Sequence, residues 1–260
     1  MKPISDMNPR TCRSIEMIFT DIDDTMTTNG RIPSAAYAAL WKAHEAGMGI
    51  VPVTGRPAGW CDHIARMWPV AGVIGENGAL CFTMQKGEMK RLYSQRPTDA
   101  HEKLEKIRSQ VLREVPGCKV AADQPYREYD LAIDFCEEVA PLDDNAVARI
   151  HEIFLSHGAK AKISSIHVNG WFGDFDKLTM CKRFCAEILH QPLDVEHSIF
   201  VGDSPNDEPM FARFPCSCGV ANISRFADSM TSLPAYVTQS EGGEGFAELV
   251  AHLLKYRNTT

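Results

Sequence analysis

The sequence lacks any apolar run near the roughly 20 residues that a membrane-spanning helix needs, and its first 14 residues are polar, unlike a secretion signal. It also lacks clustered Lys and Arg, since its basic residues are scattered and its formal net charge is −7. Nucleic acids and anionic membranes attract clustered positive charge, so we expect neither as a partner. We predict a cytoplasmic protein, and the sequence leaves its oligomeric state open.

Several widespread ligand-binding motifs are missing. The sequence has no GxxxxGK segment, and the glycines at 72–78 are spaced GxxGxxG rather than GxGxxG. Nucleotide hydrolysis by a P-loop and hydride transfer with a dinucleotide therefore lose support. A calcium-binding EF-hand that began at Asp21 would need Gly and Glu where the chain has Met26 and Ile32, so a calcium loop is rejected.

Zinc-type cysteine spacing is absent as well. Nine cysteines occur, mostly inside apolar segments. Cys181 and Cys185 lie one helical turn apart and Cys216 is close to Cys218, but no paired CxxC spacing occurs. We expect buried free thiols.

What the sequence does contain favours a folded protein of two units. The chain of 260 residues exceeds one typical domain, and 44% apolar with 23% charged residues are ordinary values for a globular protein. Short apolar segments at 15–20, 48–53 and 72–75 alternate with helical segments at 35–46, where Ser34 is a candidate cap, and at 60–67. This order predicts an α/β fold: a Rossmann-like parallel sheet core with helices on both faces.

The pattern changes between residues 83 and 171. The elements predicted there are helices at 100–115 and 143–157 and strands at 131–135 and 160–166. We interpret 83–171 as an inserted α+β unit between the core segments 14–82 and 172–260, with residues 1–13 as an N-terminal tail. The elements predicted for the second core segment are helices at 177–189 and 246–256 and strands at 198–201 and 235–237.

Two carboxylates, Asp21 and Asp23, follow the first predicted strand. Side chains two residues apart on a strand point the same way, so both can face one site at the carboxyl end of the strand, where open α/β sheets bind ligands. Close carboxylates repel each other unless a hard cation such as Mg²⁺ or Ca²⁺ neutralises them. An acidic turn is the alternative, because Asp is common in turns.

The second predicted strand also ends in polar residues. Thr54 offers a hydroxyl and Gly55 an unhindered backbone N–H, which are donors that a bound phosphate requires, and Arg56 adds positive charge. Taken alone, these residues are more often a simple turn.

The strand at 198–201 is followed by Asp203, Asn206 and Asp207. Asp203 is a candidate metal ligand. Asp207 either caps the next helix or holds a metal-bound water, and Asn206 either binds a ligand or forms a turn. Lys177 can reach the same edge of the sheet and balance a phosphate or the nucleophile, although a lone surface lysine is the commoner case.

Four segments carry phosphate-handling residue types in order along the chain: 21–25, 53–56, Lys177 and 202–207. As a set they resemble the four motifs of the haloacid dehalogenase superfamily, and the inserted unit resembles the larger cap that this superfamily places between its second and third motifs. Residues 75–79 and 202–207 are similar to the Cof-type, or subfamily IIB, branch of sugar phosphatases, most of all to the mannosyl-3-phosphoglycerate phosphatases. Asp24 and Leu178 depart from glycines that are common at those positions.

The resemblance implies a role for each matched residue. Asp21 is the nucleophile that forms an aspartyl-phosphate, and Asp23 is the general acid and base. Mg²⁺ is held by Asp21, the Asp23 backbone carbonyl and Asp203, with Asp207 supporting the site. The groups implied in stabilising the transferred phosphoryl group are Thr54, the Gly55 N–H and Lys177.

The resemblance places substrate specificity in the cap and its junction with the core. Candidate substrate contacts are Gly55, Arg56, Asn77, Arg127, His167, Asn169 and Asn206. His167 and Arg127 are equally explained as ordinary residues of a cap strand or loop. The implied activity is Mg²⁺-dependent hydrolysis of a small phosphorylated sugar or sugar-glycerate.

Three other functions fit part of the pattern. A phosphosugar mutase shares the aspartyl-phosphate but returns the phosphoryl group to a sugar hydroxyl. A two-component receiver also combines Asp, Thr and Lys around Mg²⁺, but it is about half this length, within the single-domain range, and needs no large insertion. The third is a non-catalytic binding protein on the same fold.

Overall fold

A six-stranded parallel sheet forms the centre of the core in this computed structural model, which describes residues 1–164 and 166–257. Across the sheet the strands, numbered in chain order, are β1 (Lys2–Pro3), β13 (Tyr236–Val237), β12 (Ser217–Gly219), β11 (Ser198–Gly202), β2 (Met17–Thr20) and β3 (Gly49–Pro52). Every neighbouring pair runs parallel. The predicted α/β class with a parallel core sheet is confirmed.

Helices cover both faces of this sheet because successive strand residues are apolar on opposite sides. Ile18 and Ile199 pack into one buried cluster, and their neighbours Phe19 and Phe200 pack into another. The helices that contribute to the first cluster are α1 (Pro9–Ser14), α2 (Ser34–Glu45), α3 (Ala58–Met67) and α8 (Gly242–Lys255). Those that contribute to the second are α6 (Lys177–Arg183), which continues as a π-helical turn, and α7 (Glu208–Arg213).

A small antiparallel sheet leads from the core to the insert. Its strands are β4 (Val73–Gly75), β5 (Leu80–Gln85) and β6 (Glu88–Tyr93), and an isolated parallel bridge from Val53 to Ile74 joins it to the end of β3. Strand β5 runs through residue 83, where the sequence placed the start of the insert. The first helix beyond this hairpin, α4 (Ala100–Glu114), begins 17 residues after position 83.

The inserted unit, called the cap below, contains a four-stranded antiparallel sheet and two helices. Its strands, in the order β7-β8-β10-β9, are β7 (Lys119–Val120), β8 (Leu131–Asp134), β10 (His167–Trp171) and β9 (Lys160–Ile163). Helices α4 (Ala100–Glu114) and α5 (Asp144–Ser156) share a buried cluster with Ile133 and Val168. His167 and Asn169 alternate with Val168 and therefore project from the opposite sheet face, where the pocket lies.

Three further sequence predictions differ from the structure in the described part of the protein. Residues 1–13 do not form a tail, because β1 pairs with β13 and Met7 and Cys12 are fully buried. The strand predicted at 160–166 ends at Ile163, and β10 begins at His167, while residue 165 lies outside the described residues. Ser34 is the first residue of α2 rather than its cap, which is Pro33.

Buried free thiols were predicted correctly. Eight of the nine cysteines are buried free thiols. Burial raises the pKa of the Cys61, Cys181 and Cys218 thiols well above the ordinary value. Within residues 1–164 and 166–257, no helix combines the length and apolar character needed to cross a membrane.

Candidate active site

The carboxyl ends of three neighbouring strands meet at one edge of the core sheet. Asp21 follows β2, Thr54 follows β3 and Asp203 follows β11. Parallel strands that are hydrogen-bonded in register must end side by side, so these residues are brought together although 182 positions separate Asp21 from Asp203.

Lys177, the first residue of α6, binds side chains that follow two of these strands. Its Nζ donates to Asp21 Oδ1 at 3.0 Å, to Asp207 Oδ1 at 2.9 Å and to Asn206 Oδ1 at 3.3 Å. Burial opposes its positive charge, but the carboxylates of Asp207 and Asp21 outweigh that effect and raise the pKa of Lys177 above the ordinary value. The lysine is therefore a fixed cation in the site and not a free surface residue.

Two glycines make room for these contacts. Gly78, at φ +101°, lies against the backbone of Asp176, whose side chain caps α6 by accepting from Thr179 N at 2.7 Å. Gly202 lies against the side chain of Asp207, and a β-carbon there would stand 2.3 Å from Asp207 Oδ2. Asp207 does not cap α7 with its side chain, so the capping alternative from the sequence is wrong.

Asp21, Asp203 and Asp207 form a buried cluster of carboxylates. One oxygen of each lies within 4.8 Å of the others. Burial and repulsion from Asp207 raise the pKa of Asp21 to about 7, although Lys177 opposes the shift, and burial and Asp207 raise the pKa of Asp203 well above its ordinary value. Thr25 Oγ1 donates to Asp203 at 3.1 Å and Asn222 Nδ2 lies 3.4 Å from its other oxygen.

This cluster fits a magnesium ion. Three carboxylates with one ammonium carry an excess of negative charge that is costly when buried, and a divalent cation compensates it. All the candidate donors are oxygen atoms, which Mg²⁺ prefers. Asp21, Asp203 and Asp207 would hold the ion, and the side chain of Asp23 is not part of the cluster.

Asp23 is instead held by Arg56. The guanidinium Nε and Nη2 donate to the Asp23 carboxylate at 2.9 to 3.1 Å, and Arg56 also lies 3.4 Å from Glu137 of the cap. The ring of Trp60 lies 4.4 Å from the guanidinium carbon. The side chain of Asp23 is a quarter exposed, so it borders the pocket while its orientation is fixed from one side.

Thr54 and Gly55 lie beside Asn77 at the end of β3. Thr54 is fully buried and its Oγ1 accepts from Arg56 N at 3.0 Å, which leaves its hydroxyl proton free to donate. A β-carbon at position 55 would stand 3.4 Å from Asn77 Nδ2, at ordinary van der Waals distance, so Gly55 and Asn77 are close neighbours in the site. Asn77 has φ +57° and follows Glu76 at φ +45°, and these left-handed residues turn the chain back at the pocket.

Glu76 joins the core to the cap. Its buried carboxylate accepts from Ala58 N of α3 at 2.9 Å and from three cap N–H groups, those of Glu128 at 2.9 Å, Tyr129 at 2.7 Å and Asp130 at 3.1 Å. Burial and the nearby Asp130 raise the pKa of Glu76 to about 7. The carboxylate thus replaces water for four backbone donors at the junction.

Arg127 makes a second connection at this junction. It donates to Gly55 O at 2.9 Å, and its other donors contact Asp123 and Asp130 at 2.9 to 3.2 Å. Asn169 Nδ2 donates to the same Asp130 carboxylate at 2.9 Å. Arg127 borders the pocket, but most of its donors are engaged within the protein.

Two further cap residues face the pocket. His167 Nε2 lies 2.9 Å from Glu137 Oε2, and this contact, followed by that with Arg56, lowers the pKa of Glu137 against the effect of burial. Lys162 Nζ donates to the backbone oxygen of Asn206 at 2.9 Å. Burial and nearby Lys177 lower the pKa of Lys162.

One pocket between core and cap contains most residues singled out from the sequence. Those that line it are Asp21, Asp23, Gly55, Arg56, Asn77, Arg127, His167, Asn169, Lys177, Asp203 and Asn206. Thr54 and Asp207 are fully buried behind its wall.

Sequence reasoning assigned no role to several residues that complete the site: Thr25, Glu76, Asp123, Asp130, Glu137, Lys162 and Asn222. Thr25 and Glu76 lay inside segments already compared with the superfamily. Asn222 follows β12, a strand of three residues whose signal is too short to recognise. Lys162 lies on a predicted strand, but its orientation depends on pairing with the unrecognised β10.

Comparison with known proteins agrees with this geometry. The family of haloacid dehalogenase-like hydrolases matches residues 18–121. The resemblance to the haloacid dehalogenase superfamily that the sequence motifs indicate is confirmed over this range. The enzyme class predicted from the sequence, a phosphoric monoester hydrolase, is confirmed with it, whereas the closer likeness to mannosyl-3-phosphoglycerate phosphatases stays a prediction.

Other known proteins are similar to this chain over nearly its full length. Phosphoglycolate phosphatase 1 of Saccharolobus solfataricus is 25% identical over 93% of this chain and 96% of its own. The crystal structure of Thermoplasma acidophilum 0175 has a TM-score of 0.72 at 19% identity, covering 92% and 98%. A subclass IIB sugar phosphatase, BT4131, has a TM-score of 0.64 at 16% identity, covering 91% and 98%.

Proposed function

We propose that this phosphatase hydrolyses a small phosphorylated metabolite, a sugar phosphate or a phosphorylated sugar-glycerate, in a Mg²⁺-dependent reaction through an aspartyl-phosphate on Asp21. The observation that carries the proposal is the environment of Asp21. It is a buried carboxylate that faces the pocket, contacts Lys177 and lies beside Asp203 and Asp207. Such a carboxylate is a suitable nucleophile once its repulsion from the neighbouring carboxylates is compensated.

In the first half-reaction, an oxygen of Asp21 attacks phosphorus and the bond from phosphorus to the leaving oxygen breaks. Asp23, two residues on and beside the same pocket, donates a proton to the departing alkoxide. Lys177, the Gly55 N–H and the Thr54 hydroxyl stabilise the negative charge on the phosphoryl oxygens. Bound Mg²⁺ would supply further compensation of the phosphoryl charge at the acidic cluster.

In the second half-reaction, Asp23 removes a proton from water, whose oxygen attacks the aspartyl-phosphate and releases phosphate from Asp21. One carboxyl group therefore acts as acid and then as base. The contacts from Arg56 fix the orientation of Asp23, so the same side chain is positioned for both steps.

The size and polarity of the pocket support a small polar substrate. The cap covers the site and adds charged and amide side chains above Asp21, including those of Lys162, His167 and Asn169. These groups suit hydroxyl or anionic groups of a metabolite. The phosphoglycolate and sugar phosphatases among the relatives are consistent with this class.

Phosphate release with Mg²⁺ from a panel of phosphorylated metabolites tests the proposal. The panel includes mannosyl-3-phosphoglycerate, sucrose phosphate and hexose phosphates. We expect Asp21→Asn to lower turnover at least about a thousandfold while the circular dichroism spectrum is unchanged. Asp228→Asn, an exposed substitution outside the pocket, is the matched control. Undiminished turnover by the Asp21 variant would exclude the covalent mechanism.

The reaction products distinguish a phosphosugar mutase from the proposed phosphatase. A mutase interconverts phosphosugar isomers, whereas the proposed phosphatase releases free phosphate. A binding protein on the same fold would show neither product but would retain affinity for a phosphorylated ligand.

A further inference from the structure

Lys162 differs from the other basic side chains of the pocket. Arg56, Arg127, His167 and Lys177 each contact at least one carboxylate at 3.4 Å or less. For Lys162, no carboxylate of the described residues lies within the 4.0 Å ion-pair distance. Among the described residues, the Lys162 ammonium donates one hydrogen bond, to the uncharged backbone carbonyl of Asn206.

Its place in the cap directs Lys162 to the site. It lies on the edge strand β9 directly opposite Asn169 of β10, and paired residues project from the same sheet face. That face also carries His167 and borders the pocket above Asp21. The side chain is partly buried, so the ammonium has lost water without gaining a charged partner.

We propose that Lys162 binds a carboxylate of the substrate's leaving group and so selects phosphorylated hydroxy acids over phosphate esters of neutral alcohols. This inference rests on the proposed phosphatase activity and adds the class of substrate. A carboxylate from the substrate would form an ion pair with Lys162, which has no carboxylate partner among the described residues. The resulting charge-assisted hydrogen bond is stronger than the present one to a carbonyl.

The transferred phosphoryl group is a less suitable partner for Lys162. In the proposed mechanism that group is bound by donors of the core: the Thr54 hydroxyl, the Gly55 N–H and the Lys177 ammonium. Lys162 enters instead from the cap, on the side of the pocket where His167 and Asn169 lie. The part of the substrate beyond the phosphate ester must occupy that side, because Asp21 lies in the pocket floor.

Two esters with the same two-carbon skeleton test the inference: 2-phosphoglycolate, which carries a carboxylate, and ethyl phosphate, which does not. We expect kcat/KM of the unaltered enzyme to be higher for 2-phosphoglycolate. Lys162→Met should lower that value about 10- to 100-fold, the effect of losing one ionic hydrogen bond. It should change kcat/KM for ethyl phosphate by no more than about threefold.

Two variants serve as controls. Lys162→Arg keeps the positive charge and should retain part of the preference for 2-phosphoglycolate. Lys160→Met removes a lysine from the same strand, one that is half exposed and paired with Asp174 at 2.7 Å, and should leave both values unchanged.

Failure of the inference is distinct from failure of the proposed function. An equal loss on both esters in Lys162→Met would assign the lysine to the phosphoryl group and overturn the inference. An unchanged ratio, or an unaltered enzyme without preference for the carboxylate, would overturn it as well. Absence of phosphate release from both esters and from p-nitrophenyl phosphate with Mg²⁺ would instead contradict the proposed phosphatase, and the inference with it.

Discussion

Gly78 packs so closely on Asp176 that a β-carbon at position 78 would stand 2.1 Å from the Asp176 carbonyl oxygen. This contact connects the loop after β4 to the residue before Lys177. The loop therefore sets how far the lysine ammonium extends toward Asp21.

Gly78→Ala should displace the start of α6 and lower kcat more than it raises KM, because it moves Lys177 away from the reacting carboxylate. We expect a loss of more than about tenfold, since small displacements in an active site have large effects. Gly87→Ala is the matched control. Gly87 also has positive φ, at +85°, but nothing lies within 4 Å of its added β-carbon, so only stability should fall, by about 1 kcal/mol. Equal kinetics in the two variants would contradict this relationship.

The four N–H groups around Glu76 predict a large effect of Glu76→Gln. The glutamine amide keeps one oxygen that can accept hydrogen bonds. Its NH₂ group, however, would face the backbone N–H groups that the second carboxylate oxygen of Glu76 accepts from in the unaltered protein. We expect the free energy of unfolding to fall by about 3 kcal/mol. Glu105→Gln, which removes the charge from an exposed pair with Arg108, should change it by less than about 1 kcal/mol in urea denaturation. A fall no larger than in that control would show that the junction does not need the carboxylate.

The raised pKa values of Asp21 and Glu76, both about 7, predict how the stability of the metal-free protein depends on pH. Unfolding returns each carboxyl to an ordinary pKa near 4, so between about pH 4 and 7 the folded protein binds more protons than the unfolded chain. The free energy of unfolding should therefore fall as the pH rises through this range.

Melting temperatures measured in EDTA at pH 5 and pH 8 check this dependence. We expect the lower value at pH 8. Mg²⁺ should reduce the difference by binding ionised Asp21, whereas Glu76 lies outside the acidic cluster and keeps its contribution. A melting temperature in EDTA that rises from pH 5 to pH 8 would contradict the assignment.

Removal of the metal should abolish phosphate release, and added Mg²⁺ should restore it. Asp203→Asn is expected to increase the Mg²⁺ concentration for half-maximal activity by more than about tenfold, because it removes charge from the cluster. Titration of activity with Mg²⁺ gives this value directly. Full activity of the EDTA-treated, dialysed enzyme would contradict the proposed cofactor.

The core side of the site could be predicted from the sequence because the end of a strand is visible in a short segment of sequence. Asp21, Thr54 and Asp203 each follow a short apolar segment, and parallel pairing alone brings such ends together. Lys177 required more, since its contact with Asp21 depends on the Gly78 turn and on the cap of α6.

The cap side of the site could be predicted less well from the sequence. Arg127 and Asn169 were identified on residue type, but their contacts with Asp130 depend on the register of β8 and β10, which short strands do not reveal. Glu137 and Lys162 were missed for the same reason. The carboxylate of Glu76 reaches N–H groups more than 50 positions away, and no local pattern reports such a contact.

Contacts that cross from core to cap also determine how the molecule melts. Unfolding of the cap alone would strip Glu76 of three of its four N–H donors and Gly55 O of its partner Arg127. A state with the cap unfolded and the core folded would have lost these hydrogen bonds. Its free energy is therefore unfavourable, and we do not expect it to be populated as an intermediate. We expect a single calorimetric transition with equal calorimetric and van't Hoff enthalpies. Core and cap would then unfold together as one cooperative unit.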